Sequence, residues 1–277
     1  MKLPDKKVAD LHVHTYLSDG TFSPREVLEC AKACGLDAIA ISDHDTVDAI
    51  DECIALSAEF GIEVIPAVEL GSHKDKSEIH ILGYFIDRHA GWFKEELDDI
   101  RSARMKRAEK MLDKLKENGV DLDMKDLMAL AGPGSVGRLH IAQLMFDKGY
   151  INSIGDAFYK YIGNSDSCYV RYTKLEPKDA IRMILKAGGI PVLAHPHTMG
   201  HDEYISGFVD EGLRGIEVYH SDNPGGANRR YTDIAEKYSL LMTGGSDCHG
   251  MGKGRILMGK VKIPYSLVEK LKEAKGI

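Results

Sequence analysis

The 277-residue chain contains no apolar run approaching the roughly 18 residues that a transmembrane helix requires. Its opening, "MKLPDKKVAD", has no apolar segment followed by small residues, so a secretory leader is not expected. The five cysteines are odd in number and none sits in a CxxC spacing. That speaks against a disulfide framework and a zinc–thiolate site, and for reduced thiols in a cytoplasmic protein. Cys30 and Cys34, four apart in a helical pattern, are expected in the core. No GxGxxG follows the first strand, and neither a P-loop nor a Ser/His/Asp nucleophile motif is present. Positive charge is also short. A formal net charge of −7 excludes wrapping of long duplex nucleic acid by bulk electrostatics. It leaves room for small anionic substrates if bound metals reverse the sign locally.

What the chain has in quantity is histidine, and the placement is informative. In "ADLHVHTYLSDG" two imidazoles lie one residue apart and an aspartate follows. On a β-strand alternate side chains share a face, so His12 and His14 point the same way. Imidazole is the commonest biological metal ligand, and a pair on one face is half a chelate.

Short apolar runs ending in polar residues recur along the sequence. "KVADLHVHT" ends at His12 and His14, and "DAIAISDHD" ends at Asp43, His44 and Asp45. "IEVIPAVELG" ends at Glu69, "EIHILGYFID" contains His80, and "GIPVLAHPH" ends at His195 and His197. "RGIEVYHSD" carries Glu217 and His220, and "LLMTGGSDCHG" ends at Asp247 and His249. Amphipathic stretches lie between most of these runs. "SPREVLECAKACG" has a Ser-Pro entry and a Gly stop, and "TVDAIDECIALSAEFG" and "EPKDAIRMILKAGG" also end on Gly. Strand alternating with helix predicts parallel strands joined by right-handed crossovers. A closed barrel would bring all these strand ends to one mouth, whereas an open sheet would spread them. The expected architecture is therefore an α/β, seven-stranded, barrel-like sheet with His, Asp and Glu pooled at one rim.

The chain divides into a first barrel part (1–90), an interval (91–179) and a second barrel part (180–277). In the interval, "GWFKEELDDIRSARMKRAEKMLDKLKENG" reads as one long helix. Shorter helices follow in "DMKDLMALAG", "GRLHIAQLMFDKG" and "SIGDAFYKYIG". This is a helical insertion between the fourth and fifth strands, expected to cap the barrel mouth. The run "RSARMKR" reads as a solvated helix face. His73, His89 and His201 fall outside the motifs and are expected at the surface.

With "DLHVHTYLSDG", "ISDHDT", "PAVELG", "IHILGY", "LAHPH" and "GSDCHG" in this order, the chain resembles the PHP (polymerase and histidinol phosphatase) family. The insertion, with "GRLHIAQLMFDKG", "AFYKYIG" and "YVRY", looks like the stand-alone phosphoesterase branch. That branch includes nucleoside 3',5'-bisphosphate phosphatases and 5'-to-3' exoribonucleases acting on short RNA. Leu139 stands where similar proteins place a proline, a departure that leaves Arg138 and His140 intact.

The resemblance implies a distorted (β/α)7 TIM-like barrel with a helical insertion and two to three divalent metal ions. It assigns His12, His14, Glu69 and Asp247 to a first metal. Glu69 would bridge to a second metal held by His80 and His195, and Asp19, His44 and His249 would hold a third. At "SDHDT" the resemblance, not the spacing, selects His44, and Asp45 is left to a turn or to support behind the ligands. A nitrogen and oxygen donor set suits Mn²⁺, Zn²⁺ or Fe²⁺ without deciding among them. Hydroxide from a metal-bridging water is the implied nucleophile, with Glu69 and Asp247 catalytic through the metals. Arg138 and Arg171 are candidates for gripping phosphate. His140, His197 and His220 are candidates for supporting the ligands, contacting substrate or protonating the leaving group, and each is equally open to a structural role. The expected substrate is a small phosphorylated nucleotide or short RNA. The alternatives are histidinol phosphate or another small metabolite, and a non-catalytic metal-binding, polymerase-accessory module.

Overall fold

The computed structural model describes residues 7–164, 166–171 and 174–277. The strands are β1 (Val8–Val13), β2 (Ala38–Ile41), β3 (Glu63–Lys74), β4 (Ser77–Tyr84), β5 (Ile190–Leu193), β6 (Gly215–His220), β7 (Leu241–Gly245) and the short β8 (Ile263–Pro264). They form one sheet in the order β7-β6-β5-β4-β3-β2-β1-β8. The sheet closes on itself beyond β7: Val13 bridges Cys248, and His14 N–H donates to the Cys248 carbonyl at 2.9 Å. Gly245 permits that closure, because a Cβ there would overlap the backbone and Cβ of His12. The result is a nearly closed α/β barrel of the TIM-like kind.

Two apolar layers follow from strand periodicity. Leu11, Ala38, Ala40, Ala67, Leu82, Tyr84 and Val192 fill the interior. Ile39, Ile41, Val68, Leu70, Ile81 and Leu193 face outward to the helices. Those helices begin with α1 (Pro24–Ala33), α2 (Ile50–Phe60) and α7 (Pro177–Lys186). Helix α1 is entered through a capping box in which Ser23 accepts from Glu26 N–H and Glu26 reaches back. Ala9 and Leu11 lie in the inner layer and Val13 in the outer one, with a register shift between Asp10 and Val13. That bulge turns His12 towards the mouth.

The strands are not all parallel. β4 runs antiparallel to both β3 and β5. The cause is local: only Asp75 and Lys76 separate β3 from β4, too few for a crossover, and Asp75 takes φ 53° to turn the hairpin. His80 therefore reaches the rim from the first half of its strand rather than from a C-terminal end.

The insertion comprises α3 (Gly91–Glu117), α4 (Met124–Ala131), α5 (Arg138–Asp147) and α6 (Ile154–Lys160). Phe93, Leu97 and Ile100 of α3 pack on the outer barrel layer. From Ala108 the same helix enters a separate apolar cluster with Leu127, Ile141, Met145 and Ile162. Helix α3 thus runs from the barrel into the insertion, and Ser135 N–H adds a backbone tie to the Leu17 carbonyl at 3.3 Å.

Three expectations are corrected. Arg104 and Arg107, in the run read as a solvated face, are buried and aim at carboxylates. The helical period marks them as surface, but the insertion folds over that surface. His73 is buried too, because β3 extends beyond Glu69 and carries it under the insertion. Cys30 and Cys34 are partly buried against the outer layer rather than fully inside it. His89 and His201 are exposed.

Candidate metal centre

Glu69, buried near the end of the inner run of β3, is the centre of the site. Its Oε1 lies 2.9 Å from His80 Nδ1 and 2.9 Å from His195 Nε2. Its Oε2 lies 3.2 Å from His12 Nε2, 3.3 Å from His14 Nε2 and 3.2 Å from His44 Nδ1. Asp247 Oδ1 closes the first group, 3.5 Å from His12 Nε2 and 3.2 Å from His14 Nε2. On the far side of His14, Asp19 Oδ1 stands 3.1 Å from His249 Nε2. Three tight donor groups result: His12, His14 and Asp247; His14, Asp19, His44 and His249; and His44, Glu69 and His80. His195 stands outside these groups but shares the Glu69 oxygen with His80.

Local backbone conformation aims these side chains. Asp247 (φ 52°), His195 (φ 25°) and Asp45 (φ 52°) occupy the left-handed region at strand ends, where non-glycine residues pay a cost that their surroundings must offset. The loop carrying Asp19 is pinned by Asp43, which accepts from Thr15 N–H at 2.7 Å, Thr15 Oγ1 at 2.7 Å and Ser18 Oγ at 2.5 Å. Asp45 accepts from Gly71 N–H at 3.2 Å and pairs with Arg104.

The buried donors fit divalent cations. His12 Nε2, His14 Nε2, His44 Nδ1 and Asp19 Oδ1 make no hydrogen bond of good geometry although they are sealed from water. An unpaired buried polar atom is costly, and here all four point into one space. Without metal, burial disfavours the protonated form of His14 and His80, yet Asp247 and Glu69 beside His14, and Glu69 beside His80, raise both to about 9. Glu69 and Asp247 are held well below the usual carboxylate range: burial opposes this, but His44 and His12 outweigh it for Glu69, and Lys253 and His12 for Asp247. The carboxylates demand positive charge at this point.

Two residues behind the ligands were not singled out by sequence reasoning. Glu217 Oε1 lies 3.0 Å from His12 Nδ1, while its Oε2 accepts from His195 N–H at 2.7 Å. Lys253 Nζ lies 2.5 Å from Asp247 Oδ2. Glu217 lies inside the strand run that ends at His220, between Ile216 and Val218 of the outer layer, so it faces inward without standing at a strand end. Lys253 sits in an irregular loop that no periodicity marks.

A cavity of about 400 Å³ opens above the cluster. The barrel contributes Asp19, His44, Glu69, His80, Asp247 and His249 to it, and the insertion contributes Arg104, Arg138, Ile154 and Phe158. Lys253 and Arg255 form a further part of the wall. Arg138 meets Glu78 at 3.1 Å, Asn164 Oδ1 at 2.9 Å and the Ile162 carbonyl at 3.1 Å. Arg171 is exposed and does not line the cavity. His140 caps α5, its Nδ1 accepting from Gly137 N–H at 3.1 Å, and also lies off the cavity wall. His220 accepts from Asp222 N–H through Nδ1 at 3.1 Å, which puts its proton on Nε2, 3.4 Å from Asp247 Oδ2. His197 packs beside His220, and burial pushes it down to about 4.

A barrel whose rim gathers His and carboxylate donors beneath a cationic cavity defines a metal-dependent phosphoesterase. Comparison with known proteins agrees: the PHP domain matches residues 10–162 and the PHP-associated region residues 225–275. The chain belongs to the PHP family. It is 32% identical to a 5'-3' exoribonuclease of Haemophilus influenzae over 88% of this chain and 90% of that one. It is 30% identical to a 3',5'-nucleoside bisphosphate phosphatase of Chromobacterium violaceum over 88% of each. A phosphoribosyl 1,2-cyclic phosphate 1,2-diphosphodiesterase of Eggerthella lenta is 28% identical over 88% of this chain and 94% of its own. A solved structure from Bifidobacterium adolescentis, described as a metal-dependent phosphoesterase, superposes with a TM-score of 0.89 at 29% identity, covering 100% of this chain and 98% of that one. No described helix is long and apolar enough to cross a membrane.

Proposed function

We propose that this phosphoesterase hydrolyses small nucleotides, with nucleoside 3',5'-bisphosphates and short 5'-phosphorylated RNA as its substrates. The observation that carries the reading is the shared lining of one cavity: the Glu69-centred donor cluster borders the same space as Arg138 and the half-buried ring of Phe158. A cavity of about 400 Å³ is of the size that takes a small ligand and not a duplex.

Two to three divalent ions suit the donors, because Glu69 presents one oxygen to His80 and His195 and the other to His12, His14 and His44. Such ions supply Lewis acidity and lower the pKa of water. The chain's own residues do the rest. Glu69 and Asp247 fix the spacing of the donors. Lys253 and Arg255 bring positive charge to the cavity wall, where phosphoryl oxygens would gather. The guanidinium of Arg138, on the same wall, would take a second phosphate, and the Phe158 ring beside it would stack on a base. His220 does not line the cavity; it holds a proton on Nε2 against Asp247 Oδ2 and so supports that donor from behind. His197 lies off the cavity wall and packs against the ring of His220.

The test is phosphate release, with Mn²⁺ added, from nucleoside bisphosphates, 5'-phosphorylated oligoribonucleotides, histidinol phosphate and a cyclic ribose phosphate. Preference for the first two is expected. Fastest turnover of histidinol phosphate or the cyclic ester would overturn the nucleotide assignment and leave the phosphoesterase in place.

A further inference from the structure

The metal donors do not account for Glu78. This carboxylate lies on β4 two residues before His80, so both side chains leave the same face of the strand. It is buried, yet it serves two parts of the molecule at once. Its Oε1 stands 3.4 Å from His80 Nε2, the ring nitrogen opposite the one that faces Glu69. Its Oε2 meets Arg107 Nη2 at 2.9 Å, Arg138 Nη2 at 3.1 Å, the Tyr169 hydroxyl at 3.3 Å and His73 Nε2 at 3.3 Å. Arg107 and Arg138 belong to the insertion, on α3 and α5.

We propose that Glu78 is a positioning residue that orients His80 from behind and, through Arg107 and Arg138, ties metal affinity at the His80 position to the seating of the insertion. Two physical steps support this. An imidazole that presents Nδ1 to a metal carries its proton on Nε2, and a carboxylate behind that N–H fixes both tautomer and ring direction. A single buried carboxylate shared by two guanidiniums cannot shift towards one partner without loosening the others. Seating the insertion therefore sets where Oε1 lies, and Oε1 sets the angle of His80. Gly71, paired with His80 across the β3–β4 ladder, keeps space for Arg104 on the same face, so the His80 ring is confined on that side as well.

The inference rests on the metal centre described above, and the experiment separates the two. Metal-stripped protein is titrated with Mn²⁺, and hydrogen exchange is followed in α3 and α5. Failure of the unaltered protein to bind Mn²⁺, or Zn²⁺ or Fe²⁺ titrated in its place, would overturn the metal reading, and Glu78's role with it. Given binding, Glu78→Gln should weaken one site by about 10- to 100-fold, leave the others, and speed exchange in the insertion. Arg107→Gln touches no metal ligand and serves as the second variant. It should speed exchange in the insertion and weaken the same site several-fold. A merely structural Glu78 would lower the thermal midpoint and leave the affinity of the folded fraction unchanged, which overturns the proposal. Should Glu78→Gln not fold, Arg107→Gln decides alone: faster exchange with unchanged Mn²⁺ affinity overturns the coupling.

Discussion

His12 is held between two carboxylates, with Nδ1 3.0 Å from Glu217 Oε1 and Nε2 3.2 Å from Glu69 Oε2. The first contact takes the ring N–H, so the second nitrogen offers its lone pair to the cluster. Glu217→Gln keeps the shape and removes the charge that raises the basicity of His12. It is expected to weaken metal binding by about 10- to 100-fold, measured by titrating metal-stripped protein. Unchanged affinity in a folded variant would mean that the strand alone orients His12.

Glu69 spreads its two oxygens over five histidines, Oε1 facing His80 and His195 and Oε2 facing His12, His14 and His44. Glu69→Gln leaves an amide nitrogen where an anionic oxygen is needed. Both metal content and turnover should fall by roughly a hundredfold or more, since the cations lose the charge they share. Elemental analysis alongside phosphate release checks this. Full metal loading with near-normal turnover would show that another residue does the bridging.

Removing metal should destabilise the fold. Histidines crowd the Glu69 oxygens and leave buried donor atoms unpaired, and cations bound only by the folded state add stability by mass action. At a free metal concentration of a hundred times Kd this amounts to about 2.7 kcal/mol, or roughly 5–10 °C in Tm for a domain of this size. Calorimetry of stripped and Mn²⁺-loaded protein measures it, and equal midpoints would count against a buried cluster.

Most of the candidate donors were legible because they lie at or just past the ends of strands whose apolar runs are short and clear; His80, inside β4, and Asp19, in a loop, do not. The pairs His12/His14 and Asp247/His249 are each spaced by two, although Asp247 and His249 lie beyond the end of β7 and Asp247 takes φ 52°. Three features were not legible, each for its own reason. The direction of β4 hangs on the two-residue turn at Asp75 and Lys76, a signal weaker than the run of strands and helices around it. The burial of Arg104 and Arg107 depends on where the insertion lands, which helical periodicity cannot report. Glu78 reads as an ordinary polar strand residue until its partners arrive from α3, α5 and the segment around Tyr169. Residues that bind through their own element show in the sequence, and residues that bind through another element do not.

Gly245 offers a test of the barrel closure. A methyl group there would meet the His12 backbone and Cβ, which belong to the ligand-bearing strand and cannot move freely. Gly245→Ala should cost about 1–3 kcal/mol as overpacking and shift His12 away from Glu69. The expected signature is a lower Tm together with reduced metal affinity. Loss of stability with unaltered affinity would show that β1 and β7 separate without disturbing the donors.

The arginines distinguish a nucleotide substrate from a generic phosphate ester. Arg138 lines the cavity, while Arg171 is exposed away from it. Sequence alone ranked the two equally, but their surroundings do not. A charge-assisted guanidinium–phosphate contact contributes about 1.5–3 kcal/mol, so losing it should cost roughly ten- to a hundredfold in kcat/KM. For Arg138→Ala that loss should fall on nucleoside bisphosphates and 5'-phosphorylated RNA, and far less on an aryl phosphate that carries only the reacting group. Arg171→Ala should change neither class appreciably. Because Arg138 also holds Glu78, Asn164 and the Ile162 carbonyl, its variant must be compared at matched folded fraction. An equal loss on both substrate classes would mean that Arg138 serves the reacting phosphate or the fold alone, and the second-phosphate subsite would have to lie with Lys253 and Arg255 on the facing wall.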